Sequence, residues 1–167
     1  MSDIQTDRFA LPLLQPAQAQ KEMWHNEALA ALDLLVQPAV EAIGIDTPPG
    51  APESGQSWIV GGAPTGAWSG KARHLAGWSG GGWRFAAPVD GMTVWAIADA
   101  LTARFSGGGW VLGEEACARV VIGGDHVVGP RQAAVASPSG GAVIDAESRV
   151  ALSAILGALR AHGLIAT

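Results

Sequence analysis

The sequence predicts an α+β protein: a small antiparallel β domain, sandwich-like or barrel-like, flanked by an N-terminal arm and helix and a C-terminal amphipathic helix. Three observations carry that expectation. The phrase Trp78-Ser79-Gly80-Gly81-Gly82-Trp83 returns 27 residues later as Phe105-Ser106-Gly107-Gly108-Gly109-Trp110. Three successive glycines do not sustain a helix, and they open the left-handed backbone region that tight hairpins use. Short apolar runs with turn residues between them fill positions 57–130, and helical periodicity appears only outside that stretch.

In chain order, Phe9-Ala10-Leu11-Pro12-Leu13-Leu14 is apolar and broken by proline, which predicts an extended arm. Pro16 permits a helical turn over Gln18 to Lys21. Asn26 is placed to cap a helix running to about Val36, with Leu29, Leu32, Leu35 and Val36 as its apolar stripe. The arm and helical segment occupy 1–46. Residues 47–56 hold Pro48, Pro49 and Pro52 and form a linker.

A Trp-rich β domain spans 57–130. Ser57–Val60 is its first strand, and a turn near Thr65-Gly66 follows. His74–Trp78 and Trp83–Ala86 flank the first glycine run, and Met92–Ile97 is a further strand. Ala103–Phe105 and Trp110–Leu112 flank the second run, and Ala116–Ile122 and His126–Val128 bracket Gly123-Gly124-Asp125. A connector and helix complete 131–167. Asp145 caps that helix, Leu152, Ile155, Leu156 and Leu159 form its apolar face, and Gly163 ends it in a Schellman turn.

Composition limits the function. Only 15% of the 167 residues are charged, and the net charge is −5. A surface with so little charge suits contact with other protein, which predicts a homo-oligomer. Ten scattered Lys and Arg offer no basic stripe for nucleic acid. No apolar run reaches the length of a membrane span. The polar opening Met1–Asp7 has no secretory pattern, so synthesis in the cytoplasm without a signal peptide is expected. Cys117 is the single cysteine, which excludes an intrachain disulfide.

No catalytic, metal or cofactor constellation emerges. Gly77-Trp78-Ser79-Gly80-Gly81 satisfies the G-x-S-x-G nucleophile elbow in letters, but that motif needs a helix after the serine, and strand-like Trp83-Arg84-Phe85 follows. Gly66-Ala67-Trp68-Ser69-Gly70-Lys71 is one residue short of a phosphate loop, and Ala72 stands where a magnesium-binding hydroxyl belongs. His25, His74, His126 and His162 lie far apart in the sequence. The expectation is therefore a protein that is not an enzyme and needs no cofactor. The tryptophans stand out: six lie within 58–110, and the chain has no tyrosine. Indole rings stack on sugars, so Trp68, Trp78, Trp83 and Trp110 are candidate glycan-binding residues. The competing reading makes them core filler for a glycine-rich sheet.

Two stretches carry a family resemblance. Phe9–Lys21, with His25-Asn26-Glu27-Ala28-Leu29 and Leu32-Asp33, resembles the opening of a domain family of tailed phages, prophages and gene transfer agents. Trp58-Ile59-Val60, Thr65–Trp68 and Gly81–Pro88 continue the likeness. The tail, Val128–Ala134 and Ile155–Ile165, is similar to a segment of phage fibre and head-fibre proteins. The resemblance implies a virion surface component, a head-spike base or fibre attachment that aids host adsorption, with capsid, spike or fibre proteins as partners and no catalytic residue. Phe9, Leu11, Leu13 and Leu14 of the arm, with Leu152, Ile155, Leu156 and Leu159, are the candidate assembly residues. The alternative is a carbohydrate-binding module that itself touches host capsular polysaccharide.

Overall fold

The computed structural model describes residues 5–14, 21–143 and 145–166. The chain forms two compact units, Met1–Glu114 and Glu115–Thr167. The helical turn expected over 18–21 falls mostly outside the described residues.

In the first unit, helix α1 spans Lys21–Leu35. Asn26 therefore lies inside the helix and is not its cap. Its side chain instead accepts from the Leu14 N–H at 2.9 Å and donates to the Leu14 carbonyl at 3.0 Å, holding the end of the arm. The buried side of α1 also differs from the expected stripe. Asp33 and Leu34 are buried, whereas Leu32, Leu35 and Val36 are exposed. Leu34 wins because it faces Gly77, whose missing side chain leaves room for it: a Cβ there would lie 2.6 Å from Leu34 Cδ1.

Beyond α1 the chain turns extended. Strands β1 (Ala39–Val40) and β2 (Ile43–Ile45) occupy a stretch grouped by sequence with the helical segment. Each joins a different sheet. β2 lies parallel to β3 (Ser57–Val60), which continues antiparallel to β4 (Leu75–Ser79) and β5 (Gly82–Ala86). β1 lies parallel to β6 (Thr93–Ala96), followed by antiparallel β7 (Leu101–Ser106) and β8 (Gly109–Leu112). The unit is thus two four-stranded sheets, each a three-stranded meander plus one short parallel edge strand. No barrel closes, and the sheets are mixed instead of wholly antiparallel.

Both glycine runs make the expected hairpins, with Ser79 opposite Gly82 and Ser106 opposite Gly109. Their turns differ. Gly107 and Gly108 both have positive φ, +60° and +80°, as a type I′ turn requires; in the first hairpin the left-handed residue is Gly82, at +101°.

Two apolar clusters result. Val40, Ile59, Leu75, Val94, Ala96 and Ala103 join residues of both sheets with Leu34 of α1. Trp58, Val60, Trp68 and Ala76 form the second cluster, with Trp78, Trp83 and Phe85 packed against it.

The second unit contains strands β9 (Val120–Ile122) and β10 (Asp125–Val128), paired as a hairpin, and helix α2 (Ala146–Ala161). Asp145 caps α2 as expected, accepting from the Ser148 N–H at 2.8 Å. That backbone bond, with a second from the Ser148 hydroxyl, holds its carboxyl below the usual range. The C-terminus is a Schellman turn: Leu164 N–H reaches the Leu159 carbonyl and Gly163 N–H the Arg160 carbonyl, both at 3.0 Å. Gln132 and Ile165 form a parallel bridge.

Gly77→Ala should lower stability by about 1–3 kcal/mol, because Leu34 must leave its rotamer or α1 must shift. Chemical denaturation with an unchanged m-value checks this.

Candidate functional site

Asp33 organises the site. A carboxylate in an apolar helix must find donors to be buried, and here the arm supplies them. Asp33 Oδ1 accepts from the Thr6 hydroxyl and the Phe9 N–H, each at 2.8 Å, and Oδ2 accepts from the Arg8 N–H at 2.9 Å. Arg8 then turns along the helix end. Its guanidinium donates to the carbonyl of Asp33 in the last turn and to those of Val36 and Gln37 just beyond the helix end. The last turn of α1 has no basic residue of its own. Arg8 provides the missing positive end from 25 residues away along the chain.

The arm is consequently not extended. Thr6 N–H bonds the Leu11 carbonyl at 3.0 Å, Gln5 and Pro12 form a bridge, and Ala10 turns the chain with φ +53°. Of the arm's candidate assembly residues, Phe9 and Leu14 are exposed and Leu11 and Leu13 are half-buried. The extended arm expected from the sequence is instead a loop folded back on α1.

Between this loop, α1 and the first glycine hairpin lies a cleft of about 250 Å³. Trp78, Leu34 and Ala30 are its apolar lining; Asn26, Glu27, Gln56, Ser79 and Arg84 are among its polar groups. Arg84 pairs with Glu27 at 2.8 Å and also donates to the Ser79 hydroxyl. Ser79 Oγ in turn donates to the Gly82 carbonyl at 3.1 Å. Strand β5 follows the glycines, so the nucleophile-elbow geometry is not built around Ser79. Among the described residues, no group of three or more His, Cys, Asp or Glu side chains is placed to hold a metal ion. No helix among them is long and apolar enough to cross a membrane.

The four candidate glycan residues separate. Trp68 is 0% exposed, at the centre of the second cluster, and presents no ring face to a sugar. This corrects its assignment: a short 3₁₀ turn at Gly66–Trp68 folds the indole over the sheet. Trp78 and Trp83 are half-buried and meet at 65° with centroids 5.0 Å apart, an edge-to-face pair and not a coplanar platform. Trp83 also touches Trp58 and Trp68 edge-on, at 5.5 and 5.1 Å. Trp110 belongs to the other sheet, packs on Phe105 at 5.5 Å and donates its indole N–H to the Arg73 carbonyl at 2.8 Å. Only Trp78 lines the cleft. Arg8, Asp33 and Arg84 went unassigned by sequence reasoning. The available signal was Asp33 itself, an acid inside an apolar helical run.

These features define a small mixed-sheet module in which Trp58, Trp68 and Trp83 pack together in one apolar cluster and Trp78 walls a cleft bordered by a folded-back arm. The chain belongs to the DUF2793 family, described as protein of unknown function, whose model matches residues 25–111, from within α1 into β8. No curated protein matches the chain.

Trp83→Ala should destabilise the first unit by about 3–5 kcal/mol, since three indoles lose a common contact. Thermal unfolding followed by near-ultraviolet circular dichroism measures it, and a variant that retains wild-type stability contradicts the packing role.

Proposed function

We propose that the protein is a non-enzymatic structural component of a phage-like particle, a tailed phage or gene transfer agent. In this reading it is a head-spike base or fibre attachment at the particle surface and aids host adsorption. One observation carries the reading most directly. Among the described residues of the second unit, Leu156 and Ile165 are the buried hydrophobics, while Val120, Val121, Ile122, Val127 and Val128 of the hairpin are exposed, as are Leu152 and Ile155 of α2. A two-stranded hairpin is marginal alone in water, and a short helix needs its apolar face covered. The second unit therefore gains its stability in an assembly with capsid, spike or fibre proteins. The resemblance of the arm and tail to phage and fibre sequences supports the same reading.

A second reading keeps one specific observation: Trp78 lies beside Asn26, Glu27 and Arg84 in the cleft. An aromatic wall with planar hydrogen-bonding groups suits a sugar ring, and capsular polysaccharide would then be the ligand. Trp78→Ala should reduce polysaccharide pull-down if so, and unchanged capture rejects it.

The main reading is tested on particles. Electron microscopy of particles from a deletion strain should show loss of spikes or fibres, with adsorption lost in parallel. Complementation with Leu152→Glu/Ile155→Glu should restore soluble protein and leave the particles bare. Deletion particles with complete spikes and normal adsorption overturn the proposal.

A further inference from the structure

The outer face of the second sheet gathers side chains that the fold leaves uncommitted. Along β6 and β7 burial alternates: Val94, Ala96, Ala103 and Phe105 face the core, so Thr93, Trp95, Thr102 and Arg104 share the other face. Register makes them neighbours, with Trp95 opposite Thr102 and Thr93 opposite Arg104. Trp95 is 47% exposed. Among the described residues no second aromatic ring packs on its indole and no cation sits over it. It walls an open hollow of about 500 Å³ together with Thr93, Thr102, Gln37, Leu35 and Pro38. The hydroxyls of Thr93 and Thr102 and the side-chain amide of Gln37 make no hydrogen bond among the described residues. Arg104, half-buried beside Thr93, has its Nε buried without a partner, and no described acid pairs with its guanidinium.

We propose that this face binds a carboxylate-bearing sugar unit of a polysaccharide, stacked on Trp95 with its carboxylate at Arg104. Both β6 and β7 are interior strands, so their backbone groups are already paired and a ligand must be read by side chains. That disfavours an extended peptide, which binds through a free strand edge. A pyranose fits: its C–H face covers an indole, and its hydroxyls exchange bonds with threonine and glutamine, which both donate and accept. Arg104 selects the carboxylate, because a planar guanidinium takes both oxygens at once. The cation is already partly withdrawn from water, so a carboxylate gains more there than beside a fully hydrated lysine. Diagonal neighbours on adjacent strands lie about 7–8 Å apart, a gap that one sugar ring with its carboxylate spans. The ligand class is the one considered for the cleft at Trp78, but the residues differ and neither site depends on the other.

The test places the full chain on an array of uronate and sialate oligosaccharides, each beside its neutral counterpart. The wild type should bind at least one acidic probe above its neutral counterpart, with retention falling as salt rises. Trp95→Ala should remove that binding. Arg104→Met should weaken it about tenfold, the loss expected with a charge-assisted hydrogen bond, and bring acidic and neutral probes level. Thr102→Val, nearly isosteric and opposite the indole, should weaken binding with the thermal midpoint unchanged. Trp78→Ala should leave binding intact, which separates this face from the cleft. A wild type that retains no acidic probe overturns the proposal, as does binding that survives Trp95→Ala. Binding lost with Trp78→Ala and kept with Trp95→Ala also overturns it, and assigns the sugar to the cleft. Tighter, Trp95-dependent binding of uridine monophosphate than of any acidic sugar overturns it in favour of a nucleotide.

Discussion

The first unit depends on one segment, Pro38–Ile45, that serves two sheets at once. On one side, the Trp95 and Ile97 amides donate to the carbonyls of Pro38 and Val40 at 2.8 and 2.9 Å. On the other, the Ile59 and Gly61 amides donate to Ala42 and Ile45 at 3.0 and 2.7 Å, and the Ser57 hydroxyl reaches the Ala39 carbonyl at 2.8 Å. Val40, in the middle, is fully buried among residues of both sheets. Because one short length of backbone edges both meanders, neither sheet can slip in register without disturbing the other. The helix that precedes this segment inherits the constraint, and Arg8 fastens its final carbonyls.

With the two meanders held in this way, the tryptophans take their places around the second apolar cluster. Small glycine-rich sheets have few side chains to cover their backbone, and indole rings supply large area per residue. Trp58 and Trp68 are buried, and Trp83 bridges them to Trp78 through edge-to-face contacts. Density of tryptophan is therefore chiefly a packing property in this chain. Apolar surface is left over on α1, around the second sheet at Trp95 and Leu101, and in the second unit.

The elements that could be read directly from sequence were those with local chemistry. Both glycine turns, the Asp145 cap and the Schellman turn at Gly163 follow from residues within a few positions of one another. The missed features depend on distant partners. β1 and β2 are two and three residues long, too short for periodicity to mark, and their strand character comes from β6 and β3. Asn26 has the side chain of a helix cap, yet Leu14 recruits it within the helix. The buried side of α1 was decided by the empty space at Gly77 and by donors from the arm, neither visible in the helix's own pattern. For the same reason Arg8 and Asp33 gave no motif: their bond spans a loop whose fold the sequence does not display.

The central claim, that Pro38–Ile45 holds both meanders at once, has a direct measurement in native-state hydrogen exchange of the intact protein. The amides of Trp95 and Ile97 on one side and of Ile59 and Gly61 on the other bond to this one segment, and Val40 is fully buried in its middle. The account predicts that Val40→Ala lowers the protection of all four amides by a common factor. Loss of protection at Ile59 and Gly61 with Trp95 and Ile97 unchanged, or the reverse, would contradict it.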